Sequence, residues 1–177
     1  MEYVDIETAI NADGLRLILV RGFPSPWGQA AKAMMEYKGL SFTAGPQLAG
    51  QDNPELVAWS GTNSGPVVAW NDEPPLNRWN DILHLLERIA PDKPLVPEEP
   101  QARMHFFGIA YEICGELGFG WNRRLEGIHK GVQAGRNPGE FGMKYGYNEK
   151  DGARAAQRAI VFMQYLAEIL KSQRDQG

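Results

Sequence analysis

The chain has 177 residues, 43% of them hydrophobic, enough for one ordinary domain or for two small ones sharing an interface. Eighteen basic residues scattered among 22 acidic ones give a net charge of -4, which excludes the electrostatic footprint of a nucleic-acid or anionic-membrane binder. Cys114 is the only cysteine, so an internal disulfide, a zinc-ligand cluster and a Cys-x-x-Cys redox pair are all excluded. The longest apolar runs fall far short of a bilayer, and Glu2, Asp5 and Glu7 make the start unlike a signal peptide. Cytoplasmic residence is expected.

In chain order, residues 1–13 offer Tyr3, Val4 and Ile6 either to a short edge element or to docking on the surface. Residues 15–20 (LRLILV) form an apolar run too short for a helix and rich enough in branched side chains for a buried strand. After the turn Phe23-Pro24-Ser25-Pro26-Trp27, Pro26 can open a helix, because its missing N–H costs nothing in a first turn. That helix carries Trp27, Ala31, Met34 and Met35 on one face, with Ser25 at its cap. There the Ser25 hydroxyl lies beside unpaired N–H groups at the positive helix end, where an anion or a polarised thiol is favoured. Residues 40–43 read as a second strand broken by Gly45-Pro46. Asp52-Asn53-Pro54-Glu55 starts a short helix through Leu56, Val57 and Trp59 that ends at Gly61. Residues 67–70 are a third strand preceded by Pro66, and Pro75-Leu76 a short fourth one that proline confines to an edge. A helix over about 78–90 puts Trp79, Ile82, Leu83, Leu86 and Ile89 on one side and Asn80, Asp81, His84 and Arg88 on the other. Pro91 and Pro94 stop it.

Ser25-Pro26-Trp27-Gly28-Gln29, followed by Lys38-Gly39-Leu40 at the end of the same helix, resembles the start of the thioredoxin-like domain of glutathione transferases, and most closely the omega and tau classes. The resemblance implies an α/β thioredoxin-like N-terminal domain and an all-α C-terminal domain. The layout it gives is an N-terminal extension over 1–14, the thioredoxin-like domain over 15–92, a linker over 93–97 and a helical domain over 98–177. In the helical part, a helix from Gln101 bears two apolar stripes, Met104, Phe107 and Tyr111 on one and Phe106, Ile109, Ala110, Ile113 and Leu117 on the other. Residues 118–121 interrupt it and 122–132 continue as a bent segment. Residues 135–148, glycine-rich with Phe141, Tyr145 and Tyr147, are either a lid over a cleft or an irregular surface segment. Residues 151–171 form the last helix, with Ala156, Ala159, Ile160, Met163, Leu166, Ala167 and Leu170 on a broad stripe. Members of the family continue with a buried helix opened by a Ser/Thr-x-x-Asp cap; nothing here corresponds, so the helical domain is expected to be incomplete.

The resemblance also implies chemistry. Pro66 is expected to be cis, with Gly65 turning its N–H and C=O toward an extended peptide. Glutathione would lie along Gly65-Pro66 as co-substrate, its sulfur aimed at Ser25, the catalytic residue, and Trp27 beside it. Phe107, Tyr111 and Cys114 would wall a pocket for a small hydrophobic electrophile. At the glutamyl-binding positions stand Arg78 and Trp79, where the family has Glu-Ser or Gln-Ser; Arg78 attracts a carboxylate and repels an ammonium, and Trp79 lacks the usual hydroxyl. A slip in register offers Asn80 or Asp81 instead. His84, His105 and His129 have neither metal spacing nor a nucleophile partner. Two function classes follow: a serine-type glutathione transferase, and a non-catalytic binding or assembly protein on the same scaffold. A homodimer is expected in either case.

Overall fold

The computed structural model describes residues 1–22 and 24–175; Phe23, in the turn before Ser25, and the last two residues of the chain lie outside the described residues. The chain divides into two compact units, residues 1–97 and 98–177.

The first unit is built on β1 (Leu15–Arg21), the middle strand of a three-stranded sheet. It pairs in parallel with β2 (Thr43–Leu48) and antiparallel with β3 (Val67–Trp70). Alternation along β1 feeds two cores. Leu15, Leu17 and Leu19 point to one face, where they bury against Ala31 and Met35 of α2 (Pro26–Lys38) and Ile82, Leu85 and Leu86 of α4 (Trp79–Ile89). Ile18 points to the other face, against Ala9 of α1 (Ile6–Asn11) and Leu56 of α3 (Pro54–Ser60).

Three expectations change here. The N-terminal segment is a helix on the sheet face, opened by Asp5, whose carboxylate accepts from the Thr8 N–H at 2.8 Å and hydroxyl at 2.6 Å. The second strand is not broken by Gly45-Pro46 but runs through them. β2 is an edge strand, where the missing N–H of Pro46 can be spared. Gly45 is the residue that lets α1 approach: a Cβ there would lie 2.6 Å from Ala9 Cβ and 2.7 Å from Ile18 Cδ1. The fourth strand reduces to a single antiparallel bridge, Val68 with Leu76.

Two charges inside this unit were read as part of an apolar run or as a helix end. Arg16 is buried, donating to the Ile10 carbonyl at 2.7 Å and to that of Asn71, with its guanidinium 5.4 Å from the centre of the Trp59 ring. Lys38, its side chain wholly buried, donates to the Ala90 carbonyl at 2.8 Å, the Lys93 carbonyl at 2.9 Å and Glu87 Oε1 at 2.7 Å. Glu87 accepts in turn from the N–H groups of Leu95 and Val96 at 3.0 and 3.2 Å.

The second unit contains α5 (Pro100–Cys114), α6 (Phe119–Gln133), α7 (Gly139–Lys144) and α8 (Glu149–Asp175). α5 has no buried residue, and the unit's centre is Leu125, Ile128, Tyr145, Ala155 and Ala159. Residues 135–148 do not stand open: α7 lies within them, Trp121 Nε1 donates to the Tyr145 carbonyl at 3.1 Å, and Tyr147 meets His129 Nδ1 at 3.0 Å. Gly152 is what lets α8 start there, because a Cβ would fall 2.6 Å from the Tyr147 ring and 2.9 Å from His129 Nδ1. α8, expected from residue 151, begins at Glu149 on a reciprocal pair: Asn148 Oδ1 accepts from the Asp151 N–H at 2.9 Å and Asn148 Nδ2 donates to Asp151 Oδ2 at 2.7 Å. Among the described residues no helix is long and apolar enough to cross a membrane.

Burial pushes the Glu87 carboxyl up, but hydrogen bonds from Lys38, Leu95 and Val96 outweigh it and hold the group below its ordinary value near 4.5. A carboxyl depressed by folding contributes stability above its unfolded pKa and loses it as pH falls through the folded one. Wild type is therefore expected to lose stability progressively below about pH 4.5, and Glu87→Gln to be less stable at pH 7 with a flatter decline. Urea titrations from pH 7 to 3 check this; parallel curves for the two proteins would contradict it.

Candidate functional site

The expected ligand-binding residues converge because β1 ends, and α2, β3 and α4 begin, at one edge of the sheet. The chain leaves the C-terminal end of β1 and reaches Ser25, at the N-terminus of α2. The β1–β3 register, Ile18 opposite Val67, extends to set Gly65 opposite Val20, at that same end. Leu76 runs antiparallel to β3, and so parallel to β1, which carries the chain toward the same edge before α4 begins at Trp79. The bonds from Lys38 to the C-terminal end of α4 agree: α2 and α4 lie side by side in the same direction. Two helix N-termini and the start of β3 thus face one edge of the sheet.

Within this edge, Ser25 is half-buried and extended (φ -82°, ψ 128°), and its hydroxyl makes no capping hydrogen bond; the first turn closes through the backbone, Gln29 N–H to Ser25 carbonyl at 2.8 Å. The sequence expectation of a capping serine holds for its position and not for its hydroxyl. Gly28, in the first turn, makes room for Leu19 of β1: a Cβ at 28 would lie 2.8 Å from Leu19 Cδ2, while Ser25 Cβ and Oγ, at 3.6 and 4.0 Å, would stand in ordinary contact. Glycine is a poor choice inside a helix, and that anomaly is the signal by which its role could have been found.

The Gly65–Pro66 bond is cis and Pro66 is buried. Gly65 lies hard against β1: a Cβ would come within 3.2 Å of the Val20 nitrogen and 3.3 Å of the Ile18 carbonyl oxygen. Trp27, in the first turn of α2, is half-buried. Arg78, exposed, is the N-cap residue of α4 (φ -100°, ψ 137°), and Trp79, half-buried, its first residue. A cation at the N-cap adds to the positive end of the helix dipole, an arrangement costly for the helix and favourable to an anion. In the same turn Asn80 Nδ2 donates to Asp81 Oδ1 at 3.2 Å.

The residues expected to wall an electrophile pocket fall in the second unit. Phe107, Tyr111 and Cys114 follow one stripe of α5. Arg103 lies 4.9 Å from the centre of the Phe107 ring, and Phe106 packs edge-on to it at 5.2 Å. Tyr111 is 57% exposed. Burial pushes the Cys114 thiol up, so that sulfur is held protonated and is a poor nucleophile.

No family model and no curated protein matches the sequence. Solved structures do. A glutathione S-transferase from Methylobacterium radiotolerans, in complex with glutathione sulfonate, is 18% identical with a TM-score of 0.66, over 88% of this chain and 66% of that one. A tau-class glutathione S-transferase from mango, Mangifera indica, is 17% identical with a TM-score of 0.54, over 82% and 57%. Ure2p in complex with glutathione is 11% identical with a TM-score of 0.65, over 92% and 70%. The chain spans 66% and 57% of the first two structures. It has the glutathione S-transferase fold, a thioredoxin-like unit followed by a helical one.

The glycine at 65 gives a test of this geometry. Gly65→Ala must spread β3 from β1, because the atoms it meets are backbone, and is expected to cost about 1–3 kcal/mol in urea unfolding. A variant as stable as wild type would show that the two strands are not held this closely.

Proposed function

We propose that the chain binds glutathione along the edge formed by Ser25, Trp27, Gly65, Pro66, Arg78 and Trp79, and conjugates it to a hydrophobic electrophile. The observation that carries this reading is the Ser25 hydroxyl, held at the N-terminus of α2 and not spent on the cap. A hydroxyl donor and a helix dipole both favour thiolate over thiol, raising the nucleophile's population near neutral pH. The thiol proton passes to solvent, the thiolate sulfur forms the new bond to the electrophilic carbon, and the electron pair it displaces leaves with the electrophile's leaving group or onto its conjugated acceptor. The backbone of Gly65 would pair with the peptide as an added strand. Structures of this fold that hold glutathione or its sulfonate support the choice of ligand. A homodimer suits the reading, since α5 and α8 leave Met104, Ile160, Met163 and Leu170 exposed.

A second reading is favoured by Arg78 and Trp79: a non-catalytic binding or assembly protein that has lost glutathione binding, because a guanidinium at the N-cap of α4 repels the glutamyl ammonium and Trp79 lacks the usual hydroxyl. Calorimetric titration with glutathione and a conjugation assay separate the two. The enzyme reading expects binding in the millimolar range or tighter, and a rate that Ser25→Ala lowers about 100-fold while leaving binding within a few-fold. No heat and no rate support the second reading and contradict the first, and binding with a Ser25-dependent rate contradicts the second.

A further inference from the structure

We propose that Lys38 is a positioning residue for this site, acting from the far end of α2 by fixing the axial register of α2 against α4; the inference rests on the glutathione reading for its consequence but not for its mechanism. Apolar packing between the two helices, through Ala31, Met35, Ile82, Leu85 and Leu86, sets their separation, yet it is non-directional and resists sliding weakly. Lys38 is different in kind. Its ammonium makes three charge-assisted bonds, to Ala90, Lys93 and Glu87, all at or just beyond the C-terminal end of α4, and its side chain has no access to water that could replace them.

An α-helix is stiff along its axis, because every residue is tied to its neighbours one turn away. A slide permitted at Lys38 therefore arrives undiminished at Ser25, about 20 Å away over the 13 residues of α2. Arg78 and Trp79 do not move with it, because they belong to α4. The distance changed is the one between the serine and the N-terminus of α4, which the tripeptide has to span. Displacements near 1 Å at reacting groups are enough to be felt strongly in function.

The test must separate register from mere stability. Lys38→Met strands the Glu87 carboxylate and is expected to destabilise; the pair Lys38→Met with Glu87→Gln removes both charges, keeps an amide oxygen to accept from Leu95 and Val96, and is expected to recover much of that stability, since no buried charge is left unpaired. The register account predicts that glutathione affinity, measured by calorimetry where all proteins are folded, falls about tenfold in the single and stays lowered in the double variant. It also predicts, with no ligand present, amide chemical-shift changes in the double variant at Ser25, Trp27 and Gly28. Affinity that returns with stability, or shift changes confined to within a turn of residues 38 and 87, would overturn it. Failure of wild type to bind glutathione would remove the functional reading while leaving the shift experiment to decide the register.

Discussion

The pairing of β1 on both sides governs the rest of the first unit. Because β2 joins it in parallel, a crossover helix is obligatory, and that helix, α2, must start where β1 ends. Because β3 joins it antiparallel in the register Ile18–Val67, the residues just before β3 come to the same end. Ser25 and Gly65, forty residues apart in sequence, are neighbours in chemistry through the two ladders of one strand. The leucines on one face of β1 and Ile18 on the other then fix α2 and α4 above the sheet and α1 and α3 below it.

Much of this was legible in the residues. The run at 15–20, Pro26 after Ser25, Pro54 before Leu56 and the apolar spacing from Trp79 to Ile89 each carry a local signal that tertiary packing has no reason to override. What misled was context. Gly45-Pro46 looks like a breaker until the strand is known to be an edge and the glycine to lie under Ala9. Arg16 and Lys38 look like ordinary surface charges, because nothing local says that carbonyls 52 and 55 residues away, or a glutamate 49 residues on, will be waiting for a buried Lys38; Arg16 likewise finds the Asn71 carbonyl 55 residues on. Leu85 falls outside the expected stripe yet is buried, because α4 has α2 beside it as well as the sheet below. In the second unit, the start of α8 is marked by Asn148 and Asp151, three residues apart, a spacing that also suits a plain polar loop and becomes a cap only when the two side-chain and backbone bonds close.

The site itself was only half legible. The order strand, Ser-Pro turn, helix, proline, strand can be read directly, and it locates Ser25, Gly65 and Pro66. The close approach of Leu19 to Gly28, the Ser25 hydroxyl left out of the cap and the position of Arg78 at a helix cap need coordinates, since each depends on which way a side chain turns or where a helix begins. Arg78 is also where fold and function part company. It brings positive charge to an edge already made positive by two helix ends, which strengthens the case for an anionic ligand and weakens the case for one bearing an ammonium at that point.

The central claim is that this edge converts a bound thiol to thiolate. Its most direct measurement is the ultraviolet absorbance of the glutathione thiolate, titrated against pH in the presence of saturating protein. A midpoint at least one unit below that of free glutathione, near the ordinary thiol value of about 8.5, is the result the account predicts. A midpoint unchanged from the free tripeptide would contradict it, whatever the affinity.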